Sequence, residues 1–80
     1  MNYIKQIGGN SFLILPKSQY CLSLSIIEKV FLSESEYDNE CIRLDLVNDA
    51  VIYITYDDES NGLNESKEFI DWMKETFLCT

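Results

Sequence analysis

The residues with the most chemical potential in this chain are carboxylates. Glu34, Glu36, Asp38 and Glu40 recur at every second position, and Asp57-Asp58-Glu59 form a second cluster. In an extended chain, side chains two residues apart share a face and lie about 6.6–6.8 Å from one another. That interval is of the order of the contour spacing between backbone phosphates, which exceeds their roughly 3.4 Å axial rise per strand. No Lys or Arg falls between Glu34 and Glu40, or between Asp57 and Lys67. Charges of one sign held this close repel one another and reduce stability. The pattern therefore fits either a solvated loop that maintains solubility or a surface shaped for a basic groove that otherwise holds DNA or RNA.

The second acidic cluster also resembles a calcium-binding loop of the EF-hand kind. Asp57, Glu59, Asn61 and Glu68, with Glu65 or water between them, would supply oxygen ligands, and Gly62 would allow the sharp turn. The departures are substantial. Glu59 is longer than the usual Asp or Asn, Asn64 stands where an apolar residue normally sits, and a strand precedes the loop. A turn before a capped helix explains the same residues, so no metal and no cofactor is expected. A third candidate is a sheet face carrying Tyr53 and Arg43, with Trp72 or Tyr56 nearby, because Tyr, Trp and Arg commonly anchor interfaces.

Composition narrows the function classes. The 80 residues include 14 acids, 6 bases and no histidine, for a formal net charge of −8. Phosphate contacts need clustered Lys and Arg, so direct nucleic-acid binding is not expected, and neither is docking on anionic membrane. No imidazole is available for acid–base catalysis or metal ligation. No serine sits in a nucleophile elbow and no glycine-rich loop precedes a helix to cradle phosphate. The chain does not read as an enzyme. Cys21, Cys41 and Cys79 are odd in number and irregular in spacing, which suits reduced thiols and a cytoplasmic setting. The N-terminus lacks the apolar stretch of a secretory signal.

The elements that must position these groups follow from periodicity and turn chemistry. Gly8-Gly9-Asn10 separates strands at Tyr3–Ile7 and Ser11–Leu15, and Pro16 ends the second. Between Tyr20 and Ser33, Leu22 and Leu24 alternate with Cys21 and Ser23, and Val30 and Leu32 alternate with Lys29 and Phe31. This predicts two strands joined near Ser25–Ile27, against a rival helix begun by Ser25 and Glu28. Cys41–Val47 and Val51–Tyr56 form the clearest hairpin. A three-residue loop, Asn48-Asp49-Ala50, pairs Leu46 with Ile52, Leu44 with Ile54 and Ile42 with Tyr56, which gathers six apolar side chains on one face. Arg43, Asp45, Val51, Tyr53 and Thr55 then share the other. A helix over Glu65–Phe77, capped by Asn64, carries Phe69, Ile70, Met73 and Phe77 as one stripe with Trp72 at its rim. The expected fold is α+β in one small domain over residues 1–80: an antiparallel β-meander of four to five strands with a C-terminal helix packed on one face.

The spacing of Ile27 and Val30, then Ile42-Arg43-Leu44, then Ser66–Phe77 resembles that of small bacterial β-meander proteins of the FlbD flagellar type. The resemblance covers about half the chain, rests on apolar spacing and implies the fold. Two functions follow as expectations. In the first, the protein is a stoichiometric inhibitor whose carboxylates (Glu34, Glu36, Asp38, Glu40, Asp57, Asp58 and Glu59) replace phosphates in the basic groove of a nucleic-acid-handling partner, with Tyr53 and Arg43 as anchors. In size, charge and its excess of residue types with AT-rich codons it is similar to phage inhibitors of CRISPR or restriction systems and to toxin-immunity proteins, as a class. In the second, it is a structural or assembly module that self-associates through an edge strand or the outer face, where Val51, Tyr53 and Thr55 matter more than the acids. The chain would be a monomer in the first case and a homodimer in the second.

Overall fold

The structure is a computed structural model that describes residues 2–34, 40–56 and 62–78, with the backbone alone for Glu34 and Glu40. It is α+β, as the periodicity predicts, but the strands form two sheets. The first comprises β1 (Ile4–Ile7), β2 (Asn10–Leu15) and β3 (Tyr20–Ser23), antiparallel throughout. Gly8 and Gly9 both take positive φ (57° and 85°), the geometry of a two-residue type I′ turn. Pro16 falls just after β2, in the loop to β3.

A single 3₁₀ turn (Leu24–Ile26), capped by the Ser23 hydroxyl, carries the chain into the second sheet. That sheet orders β4 (Ile27–Glu34), β5 (Glu40–Leu46), β6 (Val51–Tyr56) and β7 (Leu63–Glu65). Two strands therefore form over Tyr20–Ser33 as expected, except that Leu24 lies in the 3₁₀ turn and Ile27 already belongs to β4, and the helix begun by Ser25 does not form. A bulge between Ile27 and Lys29 resets the alternation. Beyond it, Val30 and Leu32 pair with Leu44 and Ile42 on the core face, and Lys29 and Phe31 pair with Asp45 and Arg43 on the outer face.

The β5–β6 register differs from the expected one by two residues. Leu44 pairs with Ile52 and Ile42 with Ile54, while Tyr56 lies beyond them. The reason is the turn. Asp49 N–H donates to the Leu46 carbonyl (3.1 Å), Leu46 N–H donates to the Ala50 carbonyl (2.8 Å), and Asp49 adopts φ 67°. The loop is thus Val47-Asn48-Asp49, a type I turn closed by a left-handed residue, one of the common three-residue hairpin connections. A two-residue slide preserves which side chains face inward, so the apolar face survives.

Helix α1 (Lys67–Met73) is capped by Ser66, whose hydroxyl accepts from Phe69 N–H (3.2 Å), and it ends in a π-helical turn (Lys74–Leu78). The cap is therefore Ser66 rather than Asn64, and Asn64 and Glu65 belong to β7. The core joins both sheets and the helix: Tyr3, Leu13 and Leu15 from the first sheet, Ile42, Leu44, Leu46 and Ile54 from the second, and Phe69, Ile70 and Met73 from α1. Tyr3, Phe69 and Trp72 meet edge-on or tilted at centroid distances of 4.9–5.9 Å. Such contacts add about 0.5–1.5 kcal/mol each beyond area burial. Among the described residues no helix is long and apolar enough to cross a membrane.

Candidate functional site

The acidic segments are attached to the same end of the second sheet. Glu34 and Glu40 are register partners, the last pair of the β4–β5 ladder, so residues 35–39 connect these two strands at that end. β6 runs antiparallel to β5 and finishes at Tyr56, so its C-terminus lies at the same end, and Asp57-Asp58-Glu59 follow it in sequence. Glu36, Asp38, Asp57, Asp58 and Glu59 themselves lie outside the described residues, as do the side chains of Glu34 and Glu40.

The same holds for Asp57, Glu59 and Asn61 of the calcium-loop reading. Glu65, its remaining inner candidate, has another task. It is fully buried, and its two oxygens accept from the amides of Lys17 (3.1 Å) and Ser18 (2.7 Å) in the β2–β3 loop. That loop is an α-turn, with Gln19 N–H donating to the Leu15 carbonyl and Gln19 at φ 61°. Its leading amides lack partners within the turn, as at the start of a helix, and an anionic acceptor suits them. Ser18 Oγ also donates to the Asn64 carbonyl (3.1 Å), and Thr55 Oγ1 donates to Asn64 Oδ1 (2.8 Å). β7 therefore ties one sheet to the other. Glu68 is exposed in the first turn of α1. Among the described residues no group of three or more Cys, Asp or Glu is placed to hold a metal ion.

The third candidate is partly assembled. Tyr53 and Arg43 are register partners, and Phe31 pairs with Arg43 from the other side, giving a row Phe31–Arg43–Tyr53 across three strands. The Arg43 guanidinium holds Asp45 through two contacts, Nε to Oδ1 at 2.7 Å and Nη2 to Oδ2 at 3.4 Å. Its Cζ also lies 5.5 Å from the Phe31 ring centroid. The ion pair is partly exposed and contributes about 0–1 kcal/mol, and the cation–π contact about 0.5–1 kcal/mol. Together they orient Arg43 more than they stabilise the fold. Trp72 does not join this face: it sits on α1 within the aromatic cluster beneath the sheet. Tyr56 shares the parity of Ile52 and Ile54 and so belongs to the opposite face. Thr55 has outer-face parity but is buried and bonded to Asn64, so it is not available as a contact residue.

Sequence reasoning passed over a further feature. The apolar core comes to the surface between the two sheets, in a groove lined by Tyr20 and Leu22 of β3, Val51, Ile52 and Tyr53 of β6, and Leu63 of β7. Its volume of ≈ 490 Å³ is within the ~300–1,000 Å³ of ligand clefts. Tyr20, Val51 and Tyr53 are large and exposed at its rim. No family model matches the chain, and no curated protein or solved structure matches it.

Proposed function

We propose that the chain is a small acidic protein-binding module without catalytic activity, acting as a stoichiometric inhibitor. Its carboxylates occupy the basic groove of a nucleic-acid-handling partner in place of phosphates, in the manner of phage anti-CRISPR, anti-restriction or toxin-immunity proteins. The observation that carries this reading is the shared origin of the two acidic segments. The Glu34–Glu40 pair and the end of β6 at Tyr56 lie at one end of the second sheet, and seven carboxylates are tethered there. Charges of one sign tethered to one end of a sheet steer a cationic partner and bias its orientation. Arg43 and Tyr53, adjacent on the outer face, supply anchors of the types favoured at interface centres.

The test uses immobilised protein and lysate of the source cell at low salt. A partner retained by the wild type, released by double-stranded DNA and not retained when Glu34, Glu36, Asp38 and Glu40 are changed to Gln or Asn supports the proposal. A partner that holds the protein and DNA together contradicts it.

A second reading is a bacterial structural or assembly module that self-associates. Phe31, Val51 and Tyr53 favour it, because they leave 40–42% of their surface exposed on one sheet face. A solution mass of one chain at high micromolar concentration excludes this reading, and a dimer lost on changing Tyr53 to Ser supports it.

A further inference from the structure

Strand β4 is the outermost strand of the second sheet, with a neighbour on one side only among the described residues. At 8 residues it is longer than the other edge strands, β1 and β3 with 4 each and β7 with 3. Natural sheets protect such edges with short strands, bulges, lysine or proline. In β4 these devices sit at the start, in the bulge between Ile27 and Lys29 and in Lys29 itself. Val30-Phe31-Leu32 carries none of them. The direction of its backbone groups follows from the ladder. Leu46 N–H bonds to the Ala50 carbonyl, so Leu46, Leu44 and Ile42 direct their groups to β6, and Asp45, Arg43 and Cys41 direct theirs to β4. Their register partners Lys29, Phe31 and Ser33 therefore bond to β5, while Val30 and Leu32 turn N–H and C=O outward. Both faces are apolar at this point. Phe31 leaves 40% of its surface exposed on the outer face and Leu32 leaves 50% exposed on the core face. Leu32 also lines a hollow of ≈ 460 Å³ with Lys74, Glu75 and Leu78.

We infer that this edge receives a second copy of the chain, β4 against β4, antiparallel about a two-fold axis at Phe31. The inference rests on the self-associating reading and names the edge through which the copies meet. Register carries it. Outward backbone groups must meet outward ones, so Val30 and Leu32 pair within their own set. With Phe31 on the axis, Val30 meets Leu32 of the second copy and Leu32 meets Val30, each pair exchanging both main-chain bonds. Phe31 faces its own counterpart in the closer, non-hydrogen-bonded position, where aromatic pairs interact. On the core face, Val30 of the second copy lies against the exposed Leu32. An axis at Val30 would instead set Leu32 against Glu28 in the bulge, and an axis at Leu32 would set Val30 against Glu34. The contact is isologous and closes at two chains. Like charges stand opposite only in the outermost pair, Glu28 with Glu34, at the bulge. The two Glu34 positions lie six residues apart along the paired strands, about 20 Å, beyond the screening length of about 8–10 Å at physiological salt. Repulsion between two chains of −8 makes the association tighten as salt rises, opposite in sign to capture of a cationic partner.

Sedimentation of the full chain from low micromolar to millimolar concentration, at low and high salt, measures the association. Amide hydrogen exchange at the two ends of that range locates it. The expected result is a mass that rises from one chain to two and no further, at lower concentration in high salt. Exchange at Val30 and Leu32 should slow at least about tenfold on dimerisation, while Lys29 and Phe31, already bonded to β5, change little. Leu32→Pro removes an outward N–H and keeps the β5 ladder, and Phe31→Lys sets two cations on the axis. Both are expected to weaken association about tenfold or more, and Phe31→Lys keeps the test open should Leu32→Pro fail to fold. Tyr53→Ser should dimerise as the wild type does. A mass of one chain at millimolar concentration overturns the inference together with the self-associating reading. A dimer lost with Tyr53→Ser but kept with Leu32→Pro and Phe31→Lys overturns the inference alone and moves the contact to the outer face. Growth beyond two chains, or slowed exchange at Val30 and Leu32 only when a different protein is bound, also overturns it.

Discussion

Replacing Glu65 should loosen the whole fold, although it belongs to a three-residue strand and touches no ligand. Its carboxylate is buried, and both oxygens accept backbone amides from a loop 47–48 residues away in sequence. Hydrogen bonds to a charged group are worth about 1.5–3 kcal/mol each, so the pair sets a range of about 3–6 kcal/mol. Burying the carboxylate itself costs several kcal/mol that alanine does not incur, which places the expected loss for E65A near the lower end, about 3 kcal/mol. A chain of this length has a total stability of about 4–12 kcal/mol, so the effect is a large fraction of it. E65Q is the sharper probe. Its carbonyl oxygen still accepts the Ser18 amide, but its NH₂ group meets the Lys17 amide as donor against donor, and a loss of about 2 kcal/mol is expected. Urea unfolding measures both. With a slope of about 1 kcal/mol/M, the midpoint falls by about 3 M for E65A and about 2 M for E65Q. Hydrogen exchange at Lys17 and Ser18 should accelerate with them. A midpoint for E65A within about 0.5 M of wild type, or E65Q as stable as wild type, refutes the tie between the sheets.

Other expectations follow from backbone geometry and capping. Asp49 sits at φ 67° in the β5–β6 turn, where glycine carries no steric penalty, so Asp49→Gly should raise stability by about 0.5–1 kcal/mol, read as a melting temperature higher by several degrees. Gly62 has φ 120°, and an added Cβ would lie 2.7 Å from the Tyr53 carbonyl oxygen and 3.1 Å from Thr55 Cγ2. Gly62→Ala should therefore cost about 3 kcal/mol in urea unfolding and displace β7. Ser66→Ala removes the acceptor for the Phe69 amide and should cost about 1 kcal/mol, whereas Asn64→Asp, at the position first expected to cap the helix, should not strengthen it.

Local rules revealed part of this fold and none of its long-range ties. The inward face of the β5–β6 hairpin was legible because alternation fixes parity, and Ile42, Leu44, Leu46, Ile52 and Ile54 all face the core side. The register was not, because it depends on Asp49 entering the left-handed region, and Asn48-Asp49-Ala50 offered an equally good turn on composition. β7 escaped notice for a different reason. Parallel strands usually need a crossover of a dozen or more residues, but here residues 57–62 make the connection, and Leu-Asn-Glu has no strand pattern of its own. Without a strand pattern at β7, Asn64 reads as the helix cap and Glu65 as a helical or metal-binding acid. Its true partners are backbone amides, which have no sequence signature. At the candidate site, Arg43 beside Tyr53 was readable from parity. Trp72 and Tyr56 were placed wrongly because their neighbours depend on how the helix crosses the sheet and where the hairpin closes.

The most direct test of the proposed function is displacement. Protein immobilised at about 50 mM salt and loaded with its captured partner is challenged with a double-stranded DNA oligomer, and the bound fraction is followed as DNA and salt rise. The account predicts that DNA releases the partner in proportion to its concentration, that binding weakens steeply by about 200 mM salt, and that the variant neutralised at Glu34, Glu36, Asp38 and Glu40 retains nothing. Partner binding indifferent to DNA, to salt and to that variant would contradict it.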